Sequence, residues 1–125
     1  MKNEILTQAA PLPIGPYSQG VEENKTMYIS GQLPIDMKTG QLGVNIEEQA
    51  TNCLNNLASI LKENGATMNH IVKTTIFMTN LEDFNQVNDI YGSYFSAPYP
   101  SRSTVQVASL PKGAQIEIEA IAVIA

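Results

Sequence analysis

The sequence has one cysteine, one histidine, one arginine and no tryptophan. A lone cysteine, Cys53, excludes a disulfide within the chain and suits a reducing compartment. His70 stands far from Cys53 in sequence, and the two give no zinc-ligand spacing, so no metal is expected. Basic residues are scarce as well: seven Lys and Arg against twelve Asp and Glu leave a net charge of −5. Nucleic-acid binding draws its affinity from clustered cations facing phosphates. Here the cations are scattered from Lys2 to Lys112, which makes nucleic acid a poor partner. No run approaches the roughly 18 apolar residues of a membrane span. The first ten residues lack the basic start and apolar stretch of a signal peptide. The expectation is a soluble, cytoplasmic protein.

What is present suits one domain over residues 1–125, with two layers packed around one core. Hydrophobic residues make up 43% of the chain and charged residues 15%. Pro11, Pro13, Gly15 and Pro16 mark an ordered loop. Thr26 to Ser30 reads as a strand closed by Gly31, with a possible further strand before Gly20. Asp36, Lys38, Thr39 and Gly40 then form a turn. Asn45 is a good N-cap, with Glu48 three residues on as in a capping box. Ile46, Ala50, Cys53, Leu54, Leu57, Ile60 and Leu61 follow at helical spacing, and Gly65 stops the helix. Cys53 lies on that stripe and reads as a small core hydrophobe. His70 reads as a surface loop residue before a β-branched strand, Ile71 to Thr79.

Asn80 caps a second helix, predicted over Leu81 to Phe95, whose stripe is Leu81, Phe84, Val87, Tyr91 and Phe95. Asn88 falls on this stripe, either as a buried amide tying helix to sheet or as an amide lining a pocket. Two more strands, Ser103 to Ala108 and Ile116 to Ile124, complete a two-layer α+β sandwich with two helices on one face of a mixed sheet. The end of the last strand, Ala120 to Ala125, is apolar on both faces and should be buried on both. Two helices cover only one face, so the other needs a partner. A second copy of the chain is the simplest one.

Arg102 is the only arginine, and its planar fork matches a carboxylate. Thr104, two residues on, shares its face. Glu117 and Glu119 sit inside the apolar last strand, on one face with Ile121 and Val123. Carboxylates are rarely placed so without a reason, and an apolar pocket would raise the pKa of such a group. An arginine and a carboxylate on adjacent strands suggest a small anionic ligand. A surface or salt-bridge arginine, a solvated strand end, or an ion pair of a glutamate with Arg102 or a lysine remain open, and spacing alone names no reaction.

Four blocks resemble the RidA (reactive intermediate deaminase A, YjgF-like) family. They are Ile14-Gly15-Pro16-Tyr17-Ser18-Gln19-Gly20; Ser30-Gly31-Gln32-Leu33-Pro34; Val72-Lys73-Thr74-Thr75-Ile76-Phe77 with Phe84, Val87, Asn88 and Tyr91; and Pro100-Ser101-Arg102-Ser103-Thr104-Val105, continued by Leu110-Pro111-Lys112 and Ile116-Glu117-Ile118-Glu119-Ala120. The resemblance implies a chorismate-mutase-like fold and a homotrimer with ligand sites in clefts between subunits. It also implies hydrolysis of 2-imino acids, such as 2-iminobutanoate and 2-iminopropanoate, to 2-keto acids and ammonia, with no cofactor. By matching position, Arg102 would clamp the substrate carboxylate and Glu117 would activate water. Tyr17, Ser30, Gly31 and Asn88 would shape the pocket. Many members carry a cysteine where this chain has Thr104. Threonine cannot act as that thiol, although its backbone can still bond substrate or water. A non-catalytic keto-acid-binding regulator or chaperone-like protein is the alternative. A translation-inhibiting endoribonuclease fits the charge less well.

Overall fold

Apolar residues recurring at helical spacing and β-branched residues alternating with polar ones divide the chain into its elements. The computed structural model describes residues 1–124. Its strands are β1 (Asn3–Ile5), β2 (Gly20–Glu23), β3 (Thr26–Gln32), the short pair β4 (Ile35–Asp36) and β5 (Gln41–Leu42), β6 (Ile71–Met78), β7 (Ser101–Gln106) and β8 (Ile116–Val123). Its α-helices are α1 (Ile46–Glu63) and α2 (Phe84–Gly92).

Helix α1 starts where the cap signal places it. The Asn45 side chain accepts a hydrogen bond from Glu48 N at 2.8 Å, and the Glu48 carboxylate accepts one from Val44 N at 3.3 Å. Ala50, Cys53, Leu54, Leu57, Ile60 and Leu61 are fully buried against the sheet. Gly65, with φ of +74°, supplies the left-handed turn that ends the helix.

The second helix is shorter than expected. Asn80 accepts from Glu82 N, which tightens Leu81–Asp83 into a single 3-10 turn. The α-helix begins only at Phe84. Beyond Gly92 the Ser93 hydroxyl donates to the Ile90 carbonyl, and the chain runs on in turns through Phe95.

The main sheet has the order β1-β2-β3-β8-β6-β7, with β6 and β7 parallel and every other pairing antiparallel. Strand alternation divides it into two faces. Met27, Ile29, Thr74, Ile76, Met78, Ile116, Ile118, Ala120 and Ala122 lie buried beneath the helices. The other face carries Tyr28, Lys73, Thr75, Phe77, Val105, Glu117, Glu119, Ile121 and Val123. In the single chain it is open, with Tyr28 50% and Val123 40% exposed. The final strand is therefore not buried on both sides within one chain; Ala125, part of that expectation, lies outside the described residues. No described helix is long and apolar enough to cross a membrane.

Candidate active site

Helical spacing places Phe84, Asn88 and Tyr91 on the side of α2 that looks toward β7. Arg102, paired in register with Thr74, reaches across to all three. Its Nη1 donates to Asn88 Oδ1 at 2.8 Å. Its guanidinium carbon lies 4.9 Å from the Tyr91 ring centroid and 5.4 Å from that of Phe84. A cation over aromatic faces is attracted by their quadrupoles. The Tyr91 hydroxyl is itself fixed by Thr74 Oγ1 at 2.7 Å, and burial pushes its pKa up. Among the described residues no carboxylate pairs with Arg102. The arginine is thus oriented by an amide and two rings with its charge unneutralised. It opens into a groove of about 440 Å³ lined by Asn88, Tyr91, Gly92, Tyr99, Pro100 and Arg102.

Asn88 is exposed, contrary to the reading of a buried amide, and both ties helix to sheet and lines this groove. Thr104 follows on the same face, and its Oγ1 is buried without a hydrogen-bond partner among the described residues. Such an atom is an unused donor in an interior where nearly all polar groups are satisfied.

The second group of residues occupies the open face. The loop carrying Tyr17 is anchored by Gln19, whose amide donates to the carbonyls of Thr7, Ala10 and Pro11 and accepts from Thr7 N. Ser30 donates from Oγ to Ser18 O at 2.7 Å and from N to Gln19 O at 2.9 Å. A groove of about 550 Å³ runs along this face, lined by Tyr17, Ser30, Lys73, Thr75, Glu119 and Ile121 among others. Glu117 stands in register with Phe77 and packs against Gly31. Burial raises the pKa of its carboxyl, and the neighbouring Glu119 charge raises it further. That combination holds a carboxyl nearer to neutral pH, where proton transfer in both directions is easiest.

The two groups do not meet within one chain. The sequence reading had Arg102 and Glu117 converging from adjacent strands, but β6 lies between β7 and β8. Arg102 aligns with Thr74 and Glu117 with Phe77, and these two β6 residues point to opposite faces. Arg102, Asn88 and Thr104 therefore lie at the edge of the helix-covered face. Glu117, Gly31, Ser30 and Tyr17 lie on the open one.

Sequence spacing alone places Tyr91 and Phe84 on the core stripe of the second helix. The one signal for more was a tyrosine on an apolar stripe, since a buried phenol needs a polar partner. Cys53 is buried and donates to Gln32 O at 3.1 Å; burial pushes its thiol pKa well up, which suits a packing role. His70 accepts from Thr67 N through Nδ1, closing the turn before β6.

This arrangement has close counterparts. The sequence profile of the family described as Endoribonuclease L-PSP matches residues 7–124. A mouse protein named 2-iminobutanoate/2-iminopropanoate deaminase is 47% identical over 124 residues, spanning 98% of this chain and 92% of its own length. The crystal structure of YyfA, a Rid-family protein from Yersinia pestis, has a TM-score of 0.95 at 49% identity and covers 99% of this chain and 100% of that one. E. coli TdcF, solved with bound serine, has a TM-score of 0.94 at 43% identity over 98% of this chain and 99% of that one. With its profile match, sequence identity and fold all in agreement, the chain belongs to the RidA/YjgF family, the one described as Endoribonuclease L-PSP.

Proposed function

We propose that this chain is an imine deaminase whose site forms between two copies, Arg102 coming from one and Glu117 from the next. The observation that carries the reading is Arg102, held by Asn88 and two aromatic rings with no carboxylate among the described residues to neutralise it. A 2-imino acid has a carboxylate next to an electrophilic C=N carbon. Arg102 binds the carboxylate as a two-pronged fork and so aims the carbon. Thr104 adds a hydroxyl or backbone donor beside it. Glu117 takes a proton from water as the oxygen adds to the C=N carbon and passes it to the imine nitrogen, giving the carbinolamine. The carbinolamine then collapses: Glu117 relays the hydroxyl proton to the amino nitrogen, the C–N bond breaks, and ammonia leaves with the 2-keto acid formed. Positioned acid–base groups of this kind contribute about 10²–10⁴-fold. The mouse relative's name states this chemistry for that protein.

The open sheet face supports the assembly. It is apolar at Tyr28, Ile121 and Val123, and it holds Glu117 but not the chain's one arginine. A homotrimer closed around these faces brings the Arg102 edge of one copy to the Glu117 face of its neighbour.

The test supplies threonine to a threonine dehydratase, scavenges the released imine, and follows 2-oxobutanoate. The expected outcome is faster keto-acid formation at micromolar protein; no acceleration over buffer rejects the reading. Arg102→Ala should lower kcat/KM by an amount equivalent to about 2–5 kcal/mol, the cost of removing one partner from a charge pair that the neighbouring copy buries. Light scattering should give three times the chain mass. Binding of 2-oxobutanoate in calorimetry without any turnover would make the chain a keto-acid sensor instead.

A further inference from the structure

We infer that Gly31 is a positioning residue for Glu117: an extra residue in β3 presents a bare backbone to β8, and that bareness gives the Glu117 carboxylate its seat. The inference rests on the deaminase reading and assigns Gly31 a role in it beyond lining a pocket.

The register of β3 on β8 shows the device. Ile29 pairs with Ala120 and Gln32 with Ile118, so β3 takes three steps where β8 takes two. This is a β-bulge, a feature that re-aims strands beside functional sites. Ser30 and Gly31 together stand against Glu119, with Glu117 next along the same face. A Cβ built on Gly31 would lie 2.6 Å from Glu117 Oε2, 2.8 Å from its Cδ and 3.0 Å from its Cγ. The first two separations are shorter than non-bonded atoms allow and the third is tight, so an added methyl must displace something.

Backbone conformation does not explain the glycine. Among the described glycines only Gly40, Gly65 and Gly113 have positive φ. The chain at residue 31 accepts a side chain; the space above it does not. Nor is the bulge free to retreat. Ser30 is bonded to Ser18 and Gln19, the Gln32 amide donates to Ser30 O, and Cys53 donates to Gln32 O. The partner that gives way is the Glu117 carboxyl, the far end of a flexible side chain. Alanine at this position is therefore cheap for the fold and costly for the reaction. The carboxyl it displaces leaves a setting made by Phe77 of β6, the bulge of β3 and Glu119 of β8.

The test is a double-mutant cycle in the assembled protein. Gly31→Ala should keep its oligomeric mass and lower kcat by about 10²-fold with KM little changed, as expected for a displaced acid–base group. In a Glu117→Gln background the same substitution should cost nothing further, because both act through one carboxylate. Wild-type kcat in Gly31→Ala, a loss confined to KM, or an undiminished further loss in the Glu117→Gln background overturns the inference. Should Gly31→Ala fail to fold, Gly31→Ala/Glu117→Ala should fold, since the obstruction is gone; a double variant that also fails overturns it. Absence of imine hydrolysis in the wild type would reject the deaminase reading alone. The seat is then read without substrate, from the carbon-13 NMR titration of Glu117. Its midpoint should move toward the ordinary carboxylate range in Gly31→Ala, and an unmoved midpoint overturns the inference.

Discussion

Strand β8 belongs to two environments at once. Ile116, Ile118, Ala120 and Ala122 face the helices and are buried, while Glu117, Glu119, Ile121 and Val123 face outward on the same eight residues. The first set has what it needs within the chain: α1 covers it with a matched apolar stripe. The second has a carboxyl of raised pKa, an apolar rim and a groove, but no helix over it, and among the described residues no cation forms an ion pair with Glu117 or Glu119. Alternation along one strand has separated what holds the fold together from what the fold offers to others.

That contrast can be tested by unequal substitutions. The largest effect belongs to the covered face: Ile118→Ala should cost about 2–5 kcal/mol in urea denaturation, because a fully buried position loses both transfer energy and packing. A cost near zero would mean that α1 does not seal this face. Next is a polar group on the same face. Thr74→Val leaves the buried Tyr91 hydroxyl without its partner and should cost about 1–3 kcal/mol. It should also loosen Arg102, seen as a raised KM; an unchanged KM would detach Tyr91 from the site. Val123→Lys, on the open face, should change the stability of the chain itself by no more than about 0.5 kcal/mol. Its effect should appear in light scattering as a lower mass, and an intact oligomer would place the interface elsewhere.

The smallest effect is in pH. A carboxyl whose pKa is raised on folding binds its proton more tightly in the native state than in the unfolded one. Glu117 therefore subtracts stability as pH rises from the ordinary value of 4.5 through its elevated one. Thermal melts of the wild type should show that decline and those of Glu117→Gln should not. Parallel slopes would mean that the carboxyl is solvated after all.

Local signals made the covered face legible. Asn45, Glu48 and a seven-residue stripe specify α1 from neighbours in sequence, and the structure follows them closely. Alternation in the last strand likewise put Glu117 and Glu119 on one face. Strand order was harder, because pairing is set by contacts far apart in sequence. The parallel β6-α2-β7 connection inserts β6 between the two strands that carry Arg102 and Glu117, and no local pattern announces it. The shortened α2 came from an Asn80 cap that favours a 3-10 turn at its start and from the turns that follow Gly92 at its end. The Tyr91 cage beneath Arg102 was hidden because a core stripe and an aromatic cradle share the same spacing. The blocks shared with the family named the candidate residues, and the topology separates two of them, Arg102 and Glu117, onto opposite faces of one chain.

The insertion of β6 has a genetic consequence. If each working site joins the arginine of one protomer to the glutamate of its neighbour, Arg102→Ala and Glu117→Gln damage different partners in the same handshake. Co-refolded in equal amounts, two individually impaired proteins should regain about a quarter of the wild-type sites, the fraction of neighbour pairs in which both contributors are intact in a closed ring. A chain that performed the whole reaction alone would show no such complementation.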